Sequence, residues 1–223
     1  MRYIVSGAAV VLFILLSYGF VVASGGADVR SSDAKVIYIQ SESDAEKLRM
    51  EIERLRTIAS IREVLETYYP EALVEAKREL ADTIYDSCKL YGLEVELVLA
   101  VIKTESAFRE TAVSHKGALG LMQVLPRTGM AMAEELDIDW NGQSSLIDRR
   151  TNIMLGCYYL KKMLDRYGRL DHALLAYNAG PTRFDEMLSM KKKLSGTYAK
   201  MVNRNMQLLT REHFSQKLDD GMQ

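Results

Sequence analysis

The chain has 223 residues, 48% hydrophobic and 26% charged, enough for one good core or for one domain with appendages. A formal net charge of −1 offers no electrostatic footprint for nucleic acid, which is excluded as a partner. Two cysteines, Cys88 and Cys157, cannot form a metal site without histidine partners, and the chain has only three histidines. Both cysteines lie in helix-like stretches and are expected as buried free thiols; a single disulfide is the alternative if the chain is exported. With three prolines among abundant Leu, Ala, Glu and Lys, the composition favours an all-α (mainly α) fold.

Residues 3–23 carry no formal charge and have the length of a membrane-spanning helix. An N-terminal apolar helix is expected there, acting as an uncleaved membrane anchor. Val21-Val22-Ala23 before Ser24 also resembles the cleavage site of a signal peptide, and either reading exports the rest of the chain. The Gly- and Ser-rich residues 24–32 read as a flexible linker. An amphipathic helix is expected next, over about 44–68, with Leu48, Ile52, Leu55, Ile58 (or Ala59) and Leu65 at 3–4 spacing. It serves either self-association as a short coiled coil, or another protein partner, or packing against the adjoining domain. Tyr69-Pro70 ends it. The expected organisation is thus 1–23 anchor or signal, 24–70 linker and amphipathic helix, 71–210 one helical domain, and 211–223 a tail.

Within that domain, a helix from Ala72 carries Leu73, Leu80, Ile84 and Cys88 inward and stops at a Gly92 cap. Pro126 opens another helix, with Met130, Met132 and Leu136 as packing residues, running into a polar segment around 137–145. Asp148 caps the next, whose inward stripe is Ile153, Cys157, Leu160 and Leu164. Gly156 inside it implies close approach of a neighbouring helix. Asp171 opens a short helix that Gly180-Pro181 terminates. Lys191 to Lys193 read as a solvated loop, Tyr198 begins the last helix, and the chain after Thr210 reads as frayed. No run with clear strand alternation is expected.

The chemistry is concentrated where LEVELVLAVIKTESAF gives way to a Gly-containing loop. At about 100° per residue, Val98, Val101 and Ile102 surround one direction, with Leu97 and Phe108 at the flank, and Glu105 points into that apolar arc. Desolvation there disfavours the carboxylate and raises the pKa, and an acid protonated near neutral pH is what general acid catalysis requires. The bland alternative is a glutamate paired with a buried Arg or Lys.

Glu105-Ser106 is followed by GALGLMQVLP at 117–126 and by AYNAGP at 176–181. All three in this order resemble the soluble-type (SLT) lytic transglycosylases, with their lysozyme-like fold of about six to eight helices and a cleft. The resemblance covers roughly residues 81–209. It implies that Glu105 is the single catalytic acid and that Ser114 is the loop serine facing the cleft. Gly120, Leu121, Met122 and Gln123 match the loop lining it. Tyr177 and Asn178 match a tyrosine beside the acid and an asparagine that holds substrate, and Tyr198 resembles a C-terminal site tyrosine. Asn152 and Gly156 match an N-I-x-x-G segment of a supporting helix. Gln123 could instead brace its own loop, Tyr177 could be a core aromatic, and Met122 could be plain packing. Two departures stand out: Arg109-Glu110 where the family commonly has Asn-Pro, and Arg149 after Asp148 where it commonly has Pro.

The resemblance implies cleavage of the MurNAc-β-1,4-GlcNAc bond of peptidoglycan glycan strands, with no metal or cofactor. Glu105 would protonate the glycosidic oxygen and then, as a base, take the proton of the muramoyl C6 hydroxyl, giving a 1,6-anhydro sugar. The absence of a second acid in the three motifs suits this scheme. Two rivals stand beside it. One is a goose-type lysozyme-like hydrolase using a second acid such as Glu110; the other is a membrane-tethered peptidoglycan-binding or assembly protein with a vestigial site. Each implies a bacterial envelope location, periplasmic where there are two membranes.

Overall fold

A computed structural model describes residues 12–16, 19–23, 35–38, 42–190 and 196–214, with side chains described from residue 43 onward within those ranges. The expected basic run at Lys191 to Lys193, and the tail beyond Phe214, lie outside them. The described residues divide into two compact units, one ending at Arg56 and one starting at Thr57. The division therefore falls inside a helix and not after residue 70.

In the first unit, β1 (Leu12–Leu16), β2 (Gly19–Ala23) and β3 (Lys35–Tyr38) form an antiparallel sheet in the order β2-β1-β3. Phe13 is opposite Val22 and Ile37. This corrects the expected N-terminal apolar helix and the expected absence of strands. The physical reason is composition: Phe, Ile and Val recur through these segments, and aromatic and β-branched residues suit a pleated surface. Among the described residues no helix is long and apolar enough to cross a membrane.

The second unit is all-helical. Helix α1 (Glu42–Tyr68) enters it with Ile58, Ile61, Val64 and Leu65 buried, so its second half packs on the domain. Lys77 of α2 (Val74–Tyr91) is buried and donates to Glu66 at 2.6 Å and to the Pro70 carbonyl at 3.3 Å, fixing the turn between the two helices. Gly92 ends α2 in the left-handed region, φ +63°, as expected. Leu73, however, is the exposed N-cap of α2 and not part of its inward stripe.

Helix α3 (Val95–Glu105) is buried from Leu97 to Ile102 on every side, which makes it the centre of the core. Burying each such aliphatic side chain contributes about 1.5–3 kcal/mol. Around it come α4 (Pro126–Glu135), α5 (Ser144–Ile147), α6 (Arg149–Tyr167), α7 (Leu170–Ala179), α8 (Pro181–Ser189) and α9 (Thr197–His213). The principal packings join α3 to α9, and α6 to both α2 and α7. Asp148 caps α6 by accepting from the Thr151 amide at 2.8 Å. Ile153, Cys157 and Leu160 face inward, and Cys88 and Cys157 are free buried thiols. Met132 is buried whereas Met130 is half-exposed. Sequence reading missed α5 and α8: Gly180-Pro181 stops one helix, but proline at the first position also starts the next.

Candidate active site

Glu105 is the last residue of α3, so the most apolar helix of the domain delivers a carboxyl to its own C-terminal end. Burial raises the pKa of that carboxyl above the ordinary range, and a hydrogen bond from Tyr198 opposes the rise without cancelling it. The Tyr198 hydroxyl donates to Glu105 Oε1 at 2.7 Å from the first turn of α9. Burial and the neighbouring Glu105 charge push the Tyr198 hydroxyl well above its usual range, so it remains a donor. Beside them, Asn205 of α9 donates to Thr104 Oγ1 at 2.9 Å and locks α9 to α3.

The chain leaves Glu105 through a tight turn. Ala107 and Phe108 both take left-handed backbone, at φ +51° and +63°. This is uncommon for one non-glycine residue and more so for two in succession. Phe108 is nonetheless 1% exposed, stacked on Tyr68 of α1 with centroids 5.8 Å apart and planes 11° from parallel.

The loop over 112–124 is a small hairpin-like structure in which Leu119 bridges to Val113 and to Val124. Ser114 Oγ accepts from the Ala118 amide at 3.0 Å and closes its outer turn, with Gly117 at φ +75°. Gln123, itself at φ +50°, donates its side-chain amide to the carbonyls of Ala112 and Gly120, both at 2.9 Å. Its amide hydrogens brace the loop, which leaves the side-chain oxygen as the group it can offer a ligand.

Three loop residues expected to line the site, Gly120, Leu121 and Met122, are buried instead. Met122 is fully buried, with its sulfur 3.8 Å from Cys157 Sγ, its amide donated to Asn152 at 2.8 Å and its carbonyl accepting from Tyr177 at 2.8 Å. Gly120 is buried against α6: a Cβ there would lie 2.3 Å from Asn152 Nδ2 and 2.6 Å from the Leu146 carbonyl. Met122 and Gly120 shape the loop from beneath. Gly156 is required by Met122, whose sulfur would lie 2.5 Å from an added Cβ; the close approach comes from the loop and not from a neighbouring helix.

Burial, and after it the nearby Glu105 charge, push the Tyr177 hydroxyl well above the usual range, but it does not bond the acid. Its hydroxyl serves the Met122 carbonyl, and its ring meets Tyr159 at 5.2 Å, so the hydroxyl that bonds Glu105 belongs to Tyr198. Asn178 is exposed in the last turn of α7. Asn152 emerges as the bracket of the whole arrangement. Buried on α6, it also donates to the Leu119 and Leu146 carbonyls, both at 2.9 Å, so its side chain satisfies three backbone groups. The two departures noted in the sequence meet each other: Arg149 donates to Glu110 at 3.2 Å and to Glu79 at 3.3 Å. Among the described residues no group of His, Cys, Asp and Glu is arranged to hold a metal.

A helical domain that presents a buried carboxyl, hydrogen-bonded by a tyrosine and followed in the chain by a braced Gly-containing loop, is a lysozyme-like domain of the SLT kind. The model of the family described as "Transglycosylase SLT domain" matches residues 83–199, and the chain belongs to that family. It is 33% identical to a transglycosylase of Enterobacteria phage PRD1 over 128 residues, 57% of this chain and 43% of that protein. It is 31% identical to the membrane-bound lytic murein transglycosylase C of Sodalis glossinidius over 121 residues, 50% of this chain and 34% of that protein. The chain thus spans less than half the length of these curated relatives. The fold is shared with the 70 kDa soluble lytic transglycosylase of Escherichia coli, with a TM-score of 0.52, 24% identity, and 58% of this chain and 24% of that one covered.

Proposed function

We propose that the protein is a peptidoglycan lytic transglycosylase that cleaves the MurNAc-β-1,4-GlcNAc bond and leaves 1,6-anhydroMurNAc ends. The observation that carries this reading is Glu105, a carboxyl whose burial favours the protonated form while Tyr198 stabilises the ionised one. A group required to give a proton and then take one needs both influences. Protonated Glu105 gives its proton to the glycosidic oxygen as the bond to C1 breaks. The substrate's 2-acetamido group stabilises the oxocarbenium-like centre. Ionised Glu105 then accepts the proton of the C6 hydroxyl as that oxygen bonds C1, and no water is consumed. The Gln123 side-chain oxygen, Ser114 and Asn178 are the groups proposed to hold sugar hydroxyl or acetamido groups.

The one-acid scheme is supported over hydrolysis by the engagement of Glu110. That carboxylate is paired with Arg149 at 3.2 Å and lies beside Tyr69, which gives it a structural role. The test is mass spectrometry of muropeptides released from purified sacculi by the full chain and by its Glu105→Gln form. Anhydro ends made by the wild type alone are expected. Reducing muramic ends would make water the acceptor, and no release by either form would favour a binding role.

The substrate implies the bacterial envelope as the site of action. The uncharged residues 3–23 are the segment proposed to export the chain and attach it to a membrane, tested by whether alkaline carbonate extracts it from membrane fractions. Self-association is proposed through the first half of α1, where Ala45, Leu48, Ile52 and Leu55 have coiled-coil spacing. This seam lies about 150° around the helix from the face that buries Ile58, Ile61, Val64 and Leu65. In a parallel pair, Asp44 and Glu51 face Arg49 and Arg56 of a second copy. Sedimentation should show a dimer that Arg49→Glu with Arg56→Glu disperses and that adding Asp44→Arg with Glu51→Arg restores; a monomer throughout rejects it.

A further inference from the structure

The residues immediately after Glu105 are held by a part of the chain that the family match does not reach. We propose that Tyr68, at the C-terminal end of α1, is a positioning residue for Glu105: its ring fixes Phe108 in the left-handed turn that aims the carboxyl. The inference rests on the reading of Glu105 as the acid, and it adds to the working unit a helix end that lies before residue 83.

The turn needs a support from outside itself. Left-handed backbone costs about 1–2 kcal/mol per non-glycine residue, and Ala107 and Phe108 adopt it in succession. Strain of this kind persists only where surrounding contacts over-determine the conformation. Inside the turn, Ser106 Oγ donates to the Ile102 carbonyl at 3.1 Å and Arg109 Nε to the Ser106 carbonyl at 3.0 Å. These bonds hold Ser106 and Arg109 without fixing the Phe108 ring.

Tyr68 covers one face of that ring, through the stack described above, and the core encloses the rest. Tyr68 is itself held from two further directions. Lys103 of α3 sets its ammonium 3.7 Å from the centre of the Tyr68 ring, and the Tyr68 hydroxyl donates to Glu212 of α9 at 3.3 Å. One aromatic ring therefore ties together α3, which carries Glu105, α9, which carries Tyr198, and the turn between α3 and the loop. The next residue acts on the far end of the same turn. Tyr69 lies beside Glu110, and burial together with that neighbour pushes its hydroxyl above the usual range; Arg149 holds Glu110, and Arg149 is the first residue of the helix whose Asn152 brackets the 112–124 loop. At Glu110 and Arg149, where the family commonly has prolines, this chain has an ion pair beside Tyr69. Stiffness that a proline would supply within its own backbone is supplied here by contacts that include the end of α1.

The test compares full-length wild type, Tyr68→Phe and Tyr68→Ala in two ways. The first is kcat and KM on soluble peptidoglycan glycan strands, normalised to the folded fraction. The second is the titration of the Glu105 carboxyl by 13C NMR, assigned against Glu105→Gln. Tyr68→Ala should lower kcat about 10- to 100-fold with KM changed less than twofold, since misplacement of about 1 Å has that effect. The Glu105 carboxyl should titrate closer to the ordinary range as water gains access. Tyr68→Phe, which keeps the stacking face, should leave both readouts near wild type. A Glu105 titration unmoved in Tyr68→Ala, or a fall in kcat that matches only the loss of folded protein, overturns the proposal. If Tyr68→Ala does not fold, Tyr68→Leu is read in its place with the same criteria. A wild type that releases no anhydro ends would sink the functional reading alone, because the carboxyl titration still decides the role of Tyr68.

Discussion

The Tyr198 hydroxyl donates to Glu105 across 93 residues of chain, at 2.7 Å, and is the group that favours the ionised form of an otherwise desolvated acid. Tyr198→Phe removes that bond and little else, so the Glu105 pKa should rise further. Activity that needs protonated Glu105 in its first step falls away as pH rises through that pKa. The alkaline limb of the pH–rate profile should therefore move to higher pH in the variant. The second step needs the ionised form that the bond stabilises, so kcat should fall about 10- to 100-fold, the worth of a charge-assisted hydrogen bond. An alkaline limb that stays or moves down would mean that Tyr198 does not serve the carboxylate.

The same burial has a consequence for stability. The folded pKa of Glu105 lies above its unfolded value, so between the two the folded state binds more protons. Stability associated with this group is fully present below the ordinary glutamate range and declines as pH rises to the raised folded pKa. Glu105→Gln cannot ionise and escapes that decline. It should melt at a higher temperature than wild type at neutral pH, with the difference closing in acid. Parallel melting curves across that range would show that burial of Glu105 costs the fold nothing.

Support beneath the loop should prove less tolerant than the loop surface. Gly120→Ala sets a Cβ against Asn152 and the Leu146 carbonyl at a φ of +77°, so it combines strain with a backbone collision. Gly156→Ala meets Met122, at 2.5 Å from the sulfur and 2.7 Å from Cβ, and a flexible side chain can give part of that distance. Urea unfolding should register about 1–3 kcal/mol lost for Gly156→Ala and more for Gly120→Ala. Asn152→Ala, which strips the partner from three backbone groups, should cost about 3 kcal/mol or more. Equal losses at the two glycines would contradict the packing described.

How much of this was legible in the sequence differs from residue to residue. Glu105 was marked by its place in an apolar arc, and the boundaries of α2, α6 and α9 by Gly92, Asp148 and Tyr198, because helical period and caps are local signals. Which tyrosine reaches Glu105 was not local. Tyr177 and Tyr198 stand on different helices, and only the packing of α7 and α9 assigns one hydroxyl to Met122 and the other to the acid. The motif around Met122 names a loop but does not say which of its side chains turn inward. That depends on Gly120 and Gln123 adopting positive φ. The strands over 12–23 were missed because an apolar run rich in Val, Ile and Phe satisfies both a spanning helix and a buried strand pair. Glu110 and Arg149 were each visible as a departure, but their pairing across 39 residues was not.

That pair yields a prediction that separates the two chemistries. If Glu110 were a second catalytic carboxylate, Glu110→Gln would be as damaging as Glu105→Gln. Its carboxylate is instead paired with Arg149, beside Tyr69, in the turn after Glu105. Glu110→Gln should keep anhydro-muramoyl ends as the product and lose no more than about tenfold in kcat, a barrier change near 1.4 kcal/mol. In a double-mutant cycle, Glu110→Gln and Arg149→Met should couple by about 1 kcal/mol in stability, as half-buried ion pairs do. Complete loss of activity in Glu110→Gln, with reducing ends from the wild type, would assign Glu110 the activation of water. Loss of stability without a change of product would leave it where its contacts put it, as the counterpart of Arg149.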